Sequence, residues 1–63
     1  MPSPVRFSEV KRMLERSGFI LKRVNGSHHI FTKAGQPHLS IPVHKGMVKY
    51  GYAKEAEARC REQ

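Results

Sequence analysis

The chain has 63 residues, room for one domain (residues 1–63) with a single small core, because so short a chain buries only about 60% of the surface its unfolded form exposes. Its one cysteine, Cys60, excludes an internal disulfide, so packing, a metal or a partner chain must supply the stability. Twelve Lys and Arg against five Asp and Glu give a net charge of +7, a balance that recruits polyanions, nucleic acid first among them.

Met1 to Pro4 read as a loose leader. No basic-then-apolar signal begins the chain and no apolar run nears the roughly 18 residues of a membrane span, so a cytoplasmic protein is expected, without a membrane partner. From about Arg6 to Ser17, Phe7, Val10, Met13 and Leu14 recur at spacings of three and four, which puts them on one stripe of an amphipathic helix. Gly18 ends that helix, since glycine accepts the left-handed conformation of the position after the cap.

Phe19 to Val24 is rich in aromatic and branched residues and is expected to be a strand. Asn25-Gly26 reads as the hairpin turn that follows. A second strand is expected over about His28 to Lys33, a turn at Ala34 to Pro37, and a third strand over about His38 to Val43, with Leu39, Ile41 and Val43 alternating toward the core. Lys45 to Gly51 is basic and irregular, and Tyr52 to about Arg61 reads as a short helix with Tyr52, Ala53, Ala56 and Cys60 on one side. The sum is an α+β two-layer domain: helix, three-stranded antiparallel sheet, helix.

Pairing the second and third strands across a four-residue loop sets Ile30 against Ile41, Thr32 against Leu39 and His28 against Val43. His28 then shares the core side at the rim of the sheet, while His29 and Phe31 point to the other face. A slip of one residue exchanges the two histidines. Pro42 cannot donate to a ladder and requires an edge or an end of its strand.

The run Leu14-Glu15-Arg16-Ser17-Gly18-Phe19, then Val24-Asn25-Gly26-Ser27-His28-His29-Ile30-Phe31, then Ile41-Pro42-Val43-His44-Lys45-Gly46, resembles the HicA toxin family over about residues 6 to 46. The resemblance implies a fold similar to double-stranded RNA-binding domains, cleavage of mRNA without the ribosome, and inhibition by a HicB antitoxin. It also implies that His28, just after Gly26 and Ser27, is the catalytic histidine, with His29 as the competitor. The second helix departs from the family, whose members end in a helix rich in Leu and Ile.

A ribonuclease without a metal must take a proton from a 2′-hydroxyl and stabilise a dianionic phosphorane, work suited to an imidazole and nearby cations. Lys22, Arg23, Lys33 and Lys45 lie on or at the ends of the expected strands and are candidate phosphate contacts, with Gly26 and Ser27 letting an RNA backbone come close. His44 is a second acid or a phosphate contact if the third strand ends beside the Gly26 turn, and otherwise a loop residue. His38 reads as surface. No metal site or cofactor is expected, because adjacent His28 and His29 on a strand point to opposite faces. Tyr50 and Tyr52 interleave with Lys49 and Lys54, a pattern that serves base stacking or helix-to-sheet packing, and its spacing with Ala56 and Cys60 assigns Tyr52 to packing. A noncatalytic RNA-binding module of the same fold and a protein-interaction module remain the alternative functions. The expected principal complex is with an acidic antitoxin, the free chain being monomeric.

Overall fold

Ten residues of amphipathic sequence form helix α1 (Phe7–Arg16), whose inward stripe buries Val10 and Leu14, with Phe7 and Met13 half-buried beside them. The computed structural model describes residues 3–61; Met1 and Pro2 of the expected leader lie outside the described residues, as do Glu62 and Gln63. The stop at Gly18 is a complete C-terminal cap. Gly18 has φ +95°, its N–H donates to the Glu15 carbonyl at 3.0 Å, and the Phe19 N–H donates to the Leu14 carbonyl at 3.0 Å. These are the two bonds of a Schellman motif, and Phe19 and Leu14, the residues it brings together, are both buried in the core.

Before α1 comes a short strand β1 (Val5–Arg6); after it come β2 (Ile20–Asn25), β3 (His28–Thr32), β4 (Leu39–Pro42), β5 (Met47–Val48) and helix α2 (Tyr50–Arg61). β2, β3 and β4 make an antiparallel sheet in that order, and β1 pairs with β5 as a separate two-stranded ribbon. The architecture is therefore the expected α+β helix, three-stranded sheet and helix, in the manner of a double-stranded RNA-binding domain. The ribbon is an addition: two-residue strands carry no readable period.

The register differs from expectation by one residue. His28 faces Pro42, His29 faces Ile41, Ile30 faces Ser40 and Phe31 faces Leu39. Adjacent Ile30 and Phe31 compete for the core side, and the fold buries Phe31, the residue with more apolar surface to remove from water. A six-residue connection, residues 33–38, accommodates this register in place of the four-residue loop expected. The histidines are thereby exchanged: His29 shares the core side with Phe31 and Ile41, while His28 lies with Ile30, Ser40 and Pro42 on the outer face. The first hairpin turn also shifts. Asn25 pairs with His28, so the loop is Gly26-Ser27 rather than Asn25-Gly26, and the positive φ of +64° falls on its first residue, as a II′ turn requires. Pro42 ends β4, an edge strand, so its missing N–H breaks no ladder.

The core joins Val10 and Leu14 of α1 to Phe19, Phe31, Leu39, Ile41 and Val48 on the sheet side and to Ala53 and Ala56 of α2. Helix α2 starts at Tyr50, two residues earlier than its apolar residues suggest. Ala53, Ala56 and half-buried Cys60 face inward at spacings of three and four, as expected, and small side chains let the helix come close. Tyr52 falls off the stripe and is 38% exposed, so the packing role expected for it is not the one it has. On the outer side of α2, Lys54 donates to Glu57 at 2.8 Å; this bond, ahead of the bare charges, holds the Glu57 carboxyl below and the Lys54 ammonium above their ordinary values. Lys54 is exposed and Glu57 partly so, and a surface pair of this kind adds little stability.

Candidate active site

One backbone bond ties the hairpin turn to the end of β4, the Val43 N–H donating to the Ser27 carbonyl at 2.8 Å, and the start of α2 lies beside them. Just beyond, the chain reverses through Lys45 and Gly46, at φ +52° and +76°, with His44 and Met47 exchanging both backbone bonds at 2.9 Å. Positive φ at both central positions is the I′ hairpin turn. The Gly46 carbonyl then accepts from the Phe7 N–H at 2.9 Å, anchoring this turn on the first residue of α1, where helical N–H groups have no internal partner.

Between these segments lies a cleft of about 240 Å³ lined by Ser27, His28, Pro42, His44, Lys49 and Tyr52. His28 and His44 are thus brought to one place, the arrangement expected if β4 ends beside the Gly26 turn. Lys49 and Tyr52 complete the walls, and neither was a candidate site residue from sequence. Their signal is the interleaving of Lys49 and Lys54 with Tyr50 and Tyr52, and the packing role that spacing suggests for Tyr52 fails because Tyr52 lies off the buried stripe of Ala53 and Ala56.

The two adjacent histidines have different surroundings. His29 is half-buried, its ring tilted against Phe7 with centroids 4.5 Å apart, and its Nδ1 lies 3.2 Å from the Ser27 carbonyl oxygen. A carbonyl can only accept, so Nδ1 of His29 carries the proton of that bond. His28 is exposed, and its Nδ1 lies 3.1 Å from the Ser40 hydroxyl, across the neighbouring strand. One histidine is enclosed by the fold; the other presents its ring to solvent and to the cleft.

The remaining candidates are dispersed. Gly26 is exposed in the turn beside the cleft, with nothing within 4 Å of where a Cβ would stand, so its glycine answers to φ rather than to crowding within the chain. Lys45 is exposed in the turn next to His44 but does not line the cleft. Lys22 sits at an irregularity of β2, between Leu21 and Arg23, and Arg23 faces Ile30 on the outer side of the sheet. Lys33 lies at the opposite end of β3. Its ammonium stands 5.6 Å from the Phe19 ring centroid, and the Arg59 guanidinium is at 5.6 Å from the same ring while donating to the Pro37 carbonyl. These two cations cover the edge of the core, away from His28. His38 is exposed, as expected.

Charge is segregated. From residue 17 to residue 53 the chain carries Lys22, Arg23, Lys33, Lys45 and Lys49, all four histidines, and no carboxylate. The acids of the described residues are on the helices, Glu9 and Glu15 on α1 and Glu55 and Glu57 on α2. Glu15 and Glu57 are paired there, with Lys11 at 2.7 Å and with Lys54 at 2.8 Å. The sheet and turns that frame the cleft therefore carry positive formal charge without any carboxylate among their own residues, an arrangement that favours polyanions. Among the described residues, no helix is long and apolar enough to cross a membrane.

A family model described as HicA toxin of bacterial toxin-antitoxin matches residues 7–58, from the start of α1 into the last turns of α2. No curated protein and no solved structure matches the chain. The matched span includes every cleft residue and most of both helices, and on it the chain belongs to the HicA family, the toxin of a bacterial toxin-antitoxin system with an antitoxin as its partner.

Proposed function

We propose that the chain is a ribosome-independent mRNA endoribonuclease, an mRNA interferase, that works without a cofactor and uses His28 as its general base. The observation that carries this reading is the exposed His28 imidazole in a cleft shared with His44, Lys49 and Tyr52. In the reaction the 2′-hydroxyl of the RNA gives its proton to His28, the 2′ oxygen bonds to phosphorus, and the bond from phosphorus to the 5′ oxygen breaks. The products are a 2′,3′-cyclic phosphate and a 5′-hydroxyl, with His44 supplying the proton that the leaving oxygen takes. A base of this kind contributes about 10²–10⁴-fold.

Lys49 in the cleft and Lys45 beside it balance the phosphorane charge, and the exposed ring of Tyr52 offers a face on which a base stacks. Gly26 and Ser27 form the lip past which the backbone enters, with Lys22 and Arg23 adding phosphate contacts along β2. Lys33 contributes only to the wider positive field. His29 is the poorer candidate because its Nδ1–H is engaged by Ser27 and its ring by Phe7. The antitoxin we expect is HicB-like and presents carboxylates to this cationic side, so binding it hides the cleft.

The test is cleavage of a fluorescent single-stranded RNA by the purified chain with EDTA present, comparing wild type with His28→Ala and His29→Ala. Cutting by wild type and His29→Ala, with loss in folded His28→Ala, is the expected result. Binding without cutting in all three would instead assign the chain as a noncatalytic RNA-binding module.

A further inference from the structure

His28 makes one side-chain hydrogen bond, from Nδ1 to the Ser40 hydroxyl at 3.1 Å. The contact follows from the register. His28 faces Pro42 and Ser40 is two residues before Pro42, so Ser40 is the diagonal neighbour of His28 on the same outer face of the sheet. Ser40 does not line the cleft, whereas His28 does. The Nδ1 edge of the ring is therefore turned along the sheet, and Nε2 is the nitrogen left for a substrate.

A serine hydroxyl either donates to Nδ1 or accepts from it. The two arrangements have opposite consequences. If Ser40 donates, the neutral ring carries its proton on Nε2 and offers the cleft a donor. If Ser40 accepts, the proton sits on Nδ1 and Nε2 offers the lone pair that a general base needs. An unconstrained imidazole favours the proton on Nε2, so the tautomer useful for catalysis has to be imposed.

We infer that Ser40 is the positioning residue of the active site: its hydroxyl accepts from Nδ1–H of His28, fixes the ring, and holds Nε2 unprotonated toward the cleft. This rests on the nuclease reading above, and it gives Ser40 the orienting role that a third group has behind a catalytic histidine. The two strands that carry the pair are adjacent members of the sheet, so the ring is held by rigid elements rather than by a loop. Ser40 itself touches no substrate.

The experiment is nitrogen-detected NMR of the histidine rings in the full-length chain, read alongside steady-state cleavage of a labelled single-stranded RNA. It compares wild type, Ser40→Ala, Ser40→Thr and His28→Ala. In wild type the neutral His28 ring is expected as the Nδ1–H tautomer. Ser40→Ala is expected to return it toward Nε2–H and to lower kcat by about tenfold to a hundredfold, by analogy with the loss of a group that orients a metal-ligating histidine, with KM nearly unchanged. Ser40→Thr keeps a hydroxyl on a strand that suits a branched residue and is expected to retain both tautomer and kcat. A wild-type His28 protonated on Nε2, or a Ser40→Ala chain with unaltered kcat, overturns the Ser40 assignment while the nuclease reading stands. Cleavage that persists in His28→Ala removes His28 as the base and the Ser40 assignment with it, whereas an unexpected tautomer, measured without RNA, removes the Ser40 assignment alone.

Discussion

Two histidines adjacent in sequence are given different work by a single fact of strand geometry, that successive side chains point to opposite faces. His29 faces α1, where Phe7 covers its ring and Ser27 takes its Nδ1–H; His28 faces outward, where Ser40 holds one nitrogen and the other is accessible. Substitution should separate them energetically as well as catalytically. His29→Ala removes a half-buried ring contact and a hydrogen bond and is expected to lower stability by about 1–2 kcal/mol. His28→Ala, at an exposed position, should stay within about 0.5 kcal/mol of wild type. Urea denaturation of both variants measures this, and equal losses would contradict the division of roles.

At the scale of elements, the turns decide where the site forms. The Schellman cap at Gly18 sends the chain straight from α1 into β2, the Gly26-Ser27 turn starts β3 at His28, and the Lys45-Gly46 turn carries the chain from His44 back to β5. Gly18 needs its φ of +95°, whereas Gly51, in the first turn of α2, has no positive φ. The two should respond to alanine with opposite sign. Gly18→Ala is expected to cost about 1–2 kcal/mol, the penalty of a left-handed L-residue, since the nearest atom to the added methyl, Lys33 Cε at 3.4 Å, is the end of a flexible side chain. Gly51→Ala meets nothing within 4 Å and should stabilise by about 0.5 kcal/mol through helix propensity. Thermal melts of the pair test the cap directly, and a Gly18→Ala protein as stable as wild type would remove it from the account.

For the molecule as a whole, the separation of carboxylates onto the helices leaves the sheet and turns uniformly cationic. RNA affinity is therefore expected to fall steeply with salt, and Lys49→Ala to reduce the slope of log K against log salt by about 0.7, the loss of one single-strand phosphate contact. Lys33→Ala, at the far end of β3 and engaged with Phe19, should leave the slope close to that of wild type while lowering stability. Filter binding across a salt series distinguishes them; a larger slope change for Lys33 than for Lys49 would put the RNA on the wrong end of the sheet.

Resemblance to the HicA family pointed to the Gly26-Ser27-His28-His29 segment, while the sequence by itself determined the order of the principal elements, the stop at Gly18 and the confinement of Pro42 to an edge or an end of its strand. Each of these is a local matter, set by hydrophobic period, by glycine's tolerance of positive φ, or by proline's missing donor. What only the tertiary structure decided was which histidine faces outward, and what surrounds it. Ile30 and Phe31 are both credible core residues, and the choice between them is made by the space beneath α1, which also reverses His28 and His29. In α2 the inward side of Ala53, Ala56 and Cys60 was legible from their spacing, whereas the place of Tyr52 at the margin of that side, lining the cleft, was decided by the tertiary structure. Side-chain period in a strand is two, so one residue of register, invisible in composition and settled by packing, separates a histidine enclosed against Phe7 from one that lines the cleft.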